Sequence, residues 1–154
     1  MTPNFLKEFP NLHPLIVHFP IVLLLLATVA QFAVLFFPRN HQLKWLTFFF
    51  LFTGCIGTFI AIQTAVHISG DADDKALEIF EAHQLFGTLT LWFSIAATII
   101  RFSTLKWFKK KLAEIILTIL LSTISVFVTI TGHHGAQLVH IYNVGPEGNN
   151  VMSK

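Results

Sequence analysis

Four stretches of the chain, residues 9–38, 45–70, 82–100 and 115–146, contain no Asp, Glu, Lys or Arg. Each exceeds the roughly 18 apolar residues that mark a helix able to cross the hydrocarbon core of a bilayer. They occupy most of a 154-residue chain that is 54% hydrophobic and 12% charged, so the sequence is that of an integral membrane protein. The segments between them are too short to form a soluble catalytic domain, which leaves any chemistry inside the bundle or at its mouths. Nucleic acid is excluded as a partner: the net charge is only +2, and the basic residues cluster where topology needs them. A single cysteine, Cys55, excludes an intramolecular disulfide, a Cys-based iron–sulfur or zinc framework and covalent c-type haem.

The spans read approximately as residues 15–37, 43–68, 79–102 and 112–139. The apolar run of the first continues to Phe37 and meets a charged stop at Arg39, so it reads as a retained span and not a cleaved leader. Seven of the ten Lys and Arg (Arg39, Lys44, Arg101, Lys106, Lys109, Lys110 and Lys111) fall in the first and third connections. The positive-inside rule places those two connections in the cytoplasm and both termini on the periplasmic side of a bacterial inner membrane. The expected fold is all-α: one domain over residues 1–154, an up-down-up-down four-helix bundle. Pro20 should kink the first span. Trp45 and Trp107 suit the cytoplasmic boundary.

The histidines carry the functional signal. His13 and His18 open the first span, His67 closes the second, His83 opens the third, and His133, His134 and His140 close the fourth; only His41 lies at the opposite end. Antiparallel helices bring these seven to one end. Helical spacing from His83 runs through Gly87, Thr90, Ser94 and Ala97, and comparable small or hydroxylic stripes are Thr53, Gly57, Thr64 and His67 in the second span and Thr118, Ser122, Ser125, Thr129 and Gly132 or His133 in the fourth. Helix contacts in membranes favour such residues, so the three stripes are expected to face inward.

An imidazole inside the membrane is costly unless it is paired or ligates something. Paired histidines from facing helices of a bundle suit non-covalent b-type haem, and Gly87, four residues from His83, would let a porphyrin approach the backbone. Three or four clustered histidines also suit copper or zinc. A third reading has them hydrogen-bonding between helices with no cofactor, in a structural subunit. No HExxH motif or interior general base points to a hydrolase.

Three motifs carry a family resemblance. Leu12-His13-Pro14-Leu15-Ile16-Val17-His18-Phe19-Pro20, Ala82-His83-Gln84-Leu85-Phe86-Gly87 and Gly132-His133-His134-Gly135-Ala136-Gln137-Leu138-Val139-His140 resemble the hallmarks of a bacterial four-span membrane family, a domain of unknown function. Members fused to c-type cytochrome or Rieske-type domains imply a redox setting, and the resemblance marks His13, His18, His83, His133 and His140. Ala136 stands where a second Gly is common.

The resulting expectation is a cytochrome b-like electron-transfer subunit with one or two haems b near the periplasmic face, serving a c-type cytochrome or a larger respiratory complex. Axial ligands are expected among His18, His67, His83 and His133, in the pairs His18 with His83 and His67 with His133. His13, His134 and His140 are expected at the rim. The first and third helices, and the second and fourth, should lie diagonally opposite.

Overall fold

The computed structural model describes residues 13–65, 68, 73–106 and 111–144. Four helices account for nearly all of them: α1 (His13–Phe36), α2 (His41–Gln63), α3 (Asp74–Lys106) and α4 (Lys111–His140). All four are long and apolar enough to cross a membrane. Each packs on its neighbours in the ring α1–α2–α3–α4, and among the described residues neither diagonal pair touches along its backbone. The contacts are most extensive within α1–α2 and within α3–α4, so the bundle consists of two hairpins that meet along a seam.

Local chemistry sets the helix ends. Asn40 caps α2, its side-chain oxygen accepting from the Gln42 and Leu43 amides. Asp73 does the same for α3, accepting from the Lys75 amide at 2.8 Å, which starts that helix five residues before the apolar run. At the other end of α2, Thr64 forms the cap, so the helix stops short of the expected residue 68. After α4 the backbone of Asn143 turns left-handed (φ 51°), a conformation Asn tolerates, and the Val144 amide folds back onto the Leu138 carbonyl at 2.9 Å. Val144 and Leu138 thereby cover Ala76 at the start of α3, a small second core at the histidine end.

The main core is Leu24, Ala27, Leu51, Ala97, Leu117, Leu121, Ile124 and Val128, a dry layer across mid-bundle. Small residues set the α1–α2 spacing. A Cβ on Gly54 would stand 2.9 Å from Leu24 Cδ2, and one on Gly57 3.2 Å from the buried ring of Pro20. The helix runs through Pro20 and seats the ring on Gly57. Phe19, Phe36, Phe49, Phe59, Trp92, Ile119 and Val126 form part of the outward apolar belt, a surface stable only against lipid.

The stripe expected to face inward on α3 does so: Thr90, Ser94 and Ala97 are buried. On α4 the expectation is corrected. Its buried face is apolar (Leu117, Leu121, Ile124, Val128), and the hydroxyl stripe lies beside it, toward α1. Thr118 and Ser125 meet Gln31 and Thr28 of α1, whereas Thr129, Gly132 and His133 are exposed. The hydroxyls can lie there because two of the four bond their own helix four residues back, Thr118 to the Glu114 carbonyl and Thr129 to the Ser125 carbonyl, while Ser125 meets Thr28 of α1.

Candidate functional site

His13 stands in the first turn of α1 with its ring directed to the last turn of α2. Its Nδ1 lies 2.8 Å from the Ala61 carbonyl and 3.2 Å from Thr64 Oγ1. Thr64 already donates its proton to Ala61 O at 2.9 Å, so both neighbours of Nδ1 are acceptors and the ring must donate there. The Ala61 carbonyl lies in the last turn of α2, where the regular i to i−4 ladder has ended; it accepts from the Thr64 amide at 3.2 Å and from the Thr64 hydroxyl, and the His13 ring adds a further donor.

His83, in the third turn of α3, repeats the arrangement in the other hairpin. Its Nδ1–H donates to the Thr131 carbonyl of α4 at 2.9 Å. Gly135 makes the approach possible: a Cβ there would stand 3.3 Å from His83 Cε1 and 3.6 Å from Nδ1. In each ring Nδ1 carries the hydrogen, so in the neutral form Nε2 carries the lone pair. The two rings meet across the seam with centroids 6.5 Å apart and planes at 73°. α1 and α3 are diagonal as expected, but the histidine opposite His83 is His13 and not His18.

His18 is exposed and gives its Nδ1–H to the Pro14 carbonyl of its own helix at 2.6 Å. The reason is helical phase: five residues turn a side chain through about 140°, so His13 and His18 cannot share a face. His133 and His140 are also exposed. His134 is half-buried, its ring 6.0 Å from Phe86 and 6.2 Å from His133, and its Nδ1 is buried with no hydrogen-bond partner among the described residues. Gly87 faces α4, where a Cβ would meet only Thr131 Cγ2 at 3.9 Å. His67 lies outside the described residues. Of the expected ligands that are described, His18 and His133 are exposed while His83 is part-buried against α4, and among the described residues no group of three or more potential metal ligands converges.

The opposite end holds a second polar cluster that the charge-free stretches concealed. Arg101 of α3 is fully buried. Its guanidinium pairs with both carboxylate oxygens of Glu114 on α4 (3.2 and 3.1 Å), with Thr104 Oγ1 (3.2 Å) and with the side-chain oxygen of Gln31 on α1. Lys44 of α2 reaches the same carboxylate at 3.2 Å, and the Gln31 amide donates to Glu114 and Thr118. All four helices contribute. The sequence places Arg101 and Lys44 among the charges of the connections, yet Arg101 and Thr104 simply extend the stripe His83, Gly87, Thr90, Ser94, Ala97 at unchanged spacing. That continuation is the signal by which the sequence could have revealed the cluster.

A family profile described as "Predicted membrane protein (DUF2231)" matches residues 10–148, and so takes in all four helices and both clusters. The chain belongs to this family. It is a membrane protein family of unknown function, and membership agrees with the four candidate spans. No curated protein and no solved structure gives a significant match to the chain.

Proposed function

We propose that the protein is a membrane electron-transfer subunit that holds one haem b in the seam between its hairpins, with His13 and His83 as axial ligands. One observation carries this reading: two imidazoles from opposite hairpins meet at 6.5 Å, each with its Nδ1–H on a carbonyl of its own hairpin partner, the tautomer in which Nε2 bears the lone pair. Two imidazoles on opposite sides of one metal ion have ring centres roughly 6–6.5 Å apart, given a metal–nitrogen distance of about 2.0–2.1 Å. An Nδ1–H held by a backbone carbonyl is the usual way a protein fixes a ligating imidazole. The donor set therefore fits the group.

Bound haem would supply a one-electron Fe(III)/Fe(II) couple. The work of the chain is to keep both rings in place in each oxidation state. Ala61 and Thr64 hold His13, and Thr131 holds His83 across the gap that Gly135 leaves. The exposed carboxylates Asp73, Asp74, Glu78 and Glu81 lie at the same end and suit a basic partner such as a c-type cytochrome, within or outside a larger respiratory complex.

Spectra of the purified protein, oxidised and dithionite-reduced, test the reading. A Soret band with low-spin features is expected, lost or turned five-coordinate in His13→Ala and in His83→Ala and retained in His18→Ala and His133→Ala. A colourless protein that takes up no added haemin overturns it and leaves the two rings as interhelical clamps. Stoichiometric copper or zinc without a Soret band would overturn it in favour of a bare ion.

A further inference from the structure

His18 and His133 are left outside the seam, and their placement is not random. α1 and α4 are locked together where Thr28 Oγ1 meets Ser125 Oγ at 2.9 Å and the Leu121 carbonyl at 3.2 Å. Counting toward the histidine end at about 1.5 Å per residue, His18 lies about 15 Å from that lock and His133 about 12 Å, nearly one depth. At about 100° per residue each side chain is rotated about 80° from the line joining the helices. Because the helices are antiparallel, the two rotations run in opposite senses and bring both side chains to the same side of the α1–α4 pair. The core residues Ala27 and Ile124, both fully buried, fall on the other side by the same count. Both histidines are in fact exposed, so the register and the burial agree.

The groove they flank is open. A Cβ on Gly132 would meet nothing within 4 Å, and Thr129 and Ala136 beside it are exposed and small. His18 spends Nδ1–H on Pro14, so its Nε2 is the donor, in the same tautomer as His13 and His83. We propose that His18 and His133 form a second, outward-facing site for a divalent transition-metal ion of the zinc or copper class. Imidazole suits both ions, and two protein donors leave the remaining positions for water at the membrane boundary. Two side chains projecting in parallel from neighbouring helices can chelate an ion between them. They cannot sandwich a porphyrin, which needs rings that oppose each other, so this site is chemically distinct from the seam and does not rest on the haem reading.

The test is zinc chloride titrated calorimetrically into the full chain, in detergent, with any affinity tag removed. One ion is expected, and His18→Ala and His133→Ala should each bind it at least about tenfold more weakly, since even outer-shell partners of a metal site are worth that much. His13→Ala and His83→Ala should bind it as the wild type does. Both outward residues are exposed, so their replacement should leave thermal unfolding unchanged. Copper(II) bound to the wild type should show hyperfine splitting from two imidazole nitrogens. Unchanged zinc affinity in either outward variant, or a single coupled nitrogen, overturns the proposal.

Discussion

The two ends of the bundle solve the same problem, polar groups within apolar helices, in opposite ways. At the arginine end, four helices converge on one carboxylate, and Glu114 takes donors from Arg101, Lys44 and Gln31. At the histidine end, neutral acceptors do the work: the Nδ1–H of each ring is held by a backbone carbonyl of the neighbouring helix. The first arrangement neutralises charge across all four helices; the second joins helices through uncharged hydrogen bonds and is the one on which the proposed haem site is built. Charge is suited to closure because its pairing is strong where water is scarce, and neutral imidazole is suited to ligation because one nitrogen can be anchored while the other serves.

If that division is right, the arginine end should dominate stability. Arg101→Ala strands Glu114 beside a single lysine and leaves a cavity, and should cost about 3–5 kcal/mol, the range for breaking a buried pair. Unfolding in mixed detergent micelles measures it, and the double variant Arg101→Met with Glu114→Leu should recover much of the loss, because the one charge that loses its partner, Lys44, is partly exposed. An Arg101→Ala protein as stable as the wild type would break the comparison.

Gly135→Ala should act in the reverse way. The added methyl lies 3.3 Å from His83 Cε1, so the ring must yield by a small fraction of its width. A stability loss of about 1 kcal/mol, at the low end for overpacking, should accompany a clear change in the spectrum of the haem-loaded protein or in its haem affinity. Equal retention of both would show that His83 need not sit where Thr131 holds it.

The smallest effect is expected at Thr64→Val, which removes one of two acceptors from His13 Nδ1 and leaves the shorter contact to Ala61. About 0.5–1.5 kcal/mol is the usual worth of one such bond, and the surviving bond should keep the loss at the low end. A thermal unfolding series in detergent resolves this, and a loss above that of Gly135→Ala would show that the hydroxyl, not the carbonyl, orients the ring.

Much of the fold was legible because the cost of burying charge in lipid writes itself as uninterrupted apolar sequence. The inward stripe of α3 was legible too, since spacing alone defines it. Two things were not. A charge next to a span looks the same whether it faces water or turns inward: Arg101 reads as a loop residue because its partner Glu114 stands across a turn and its partner Gln31 in another helix. The choice between His13 and His18 depends on which face α1 turns to the bundle. Between Phe19 and Phe36 that helix is apolar on every side, with only Thr28 and Gln31 to mark a phase, and both stand far from the histidines. On α4 the hydroxyls mislead because Ser and Thr satisfied by their own backbone can sit on an outer face.

Each histidine of the seam is anchored by the companion helix of its own hairpin, with consequences for how the protein is made. The carbonyl that holds His13 Nδ1 is in place once α1 and α2 are paired, and the one that holds His83 Nδ1 once α3 and α4 are. Each hairpin thus carries a carbonyl that receives its own imidazole, and docking of the two brings the ring centroids to 6.5 Å. If the hairpins form before they dock, as their more extensive internal contacts favour, the seam is the last surface to close, and a wide, flat molecule would enter it most easily before that closure.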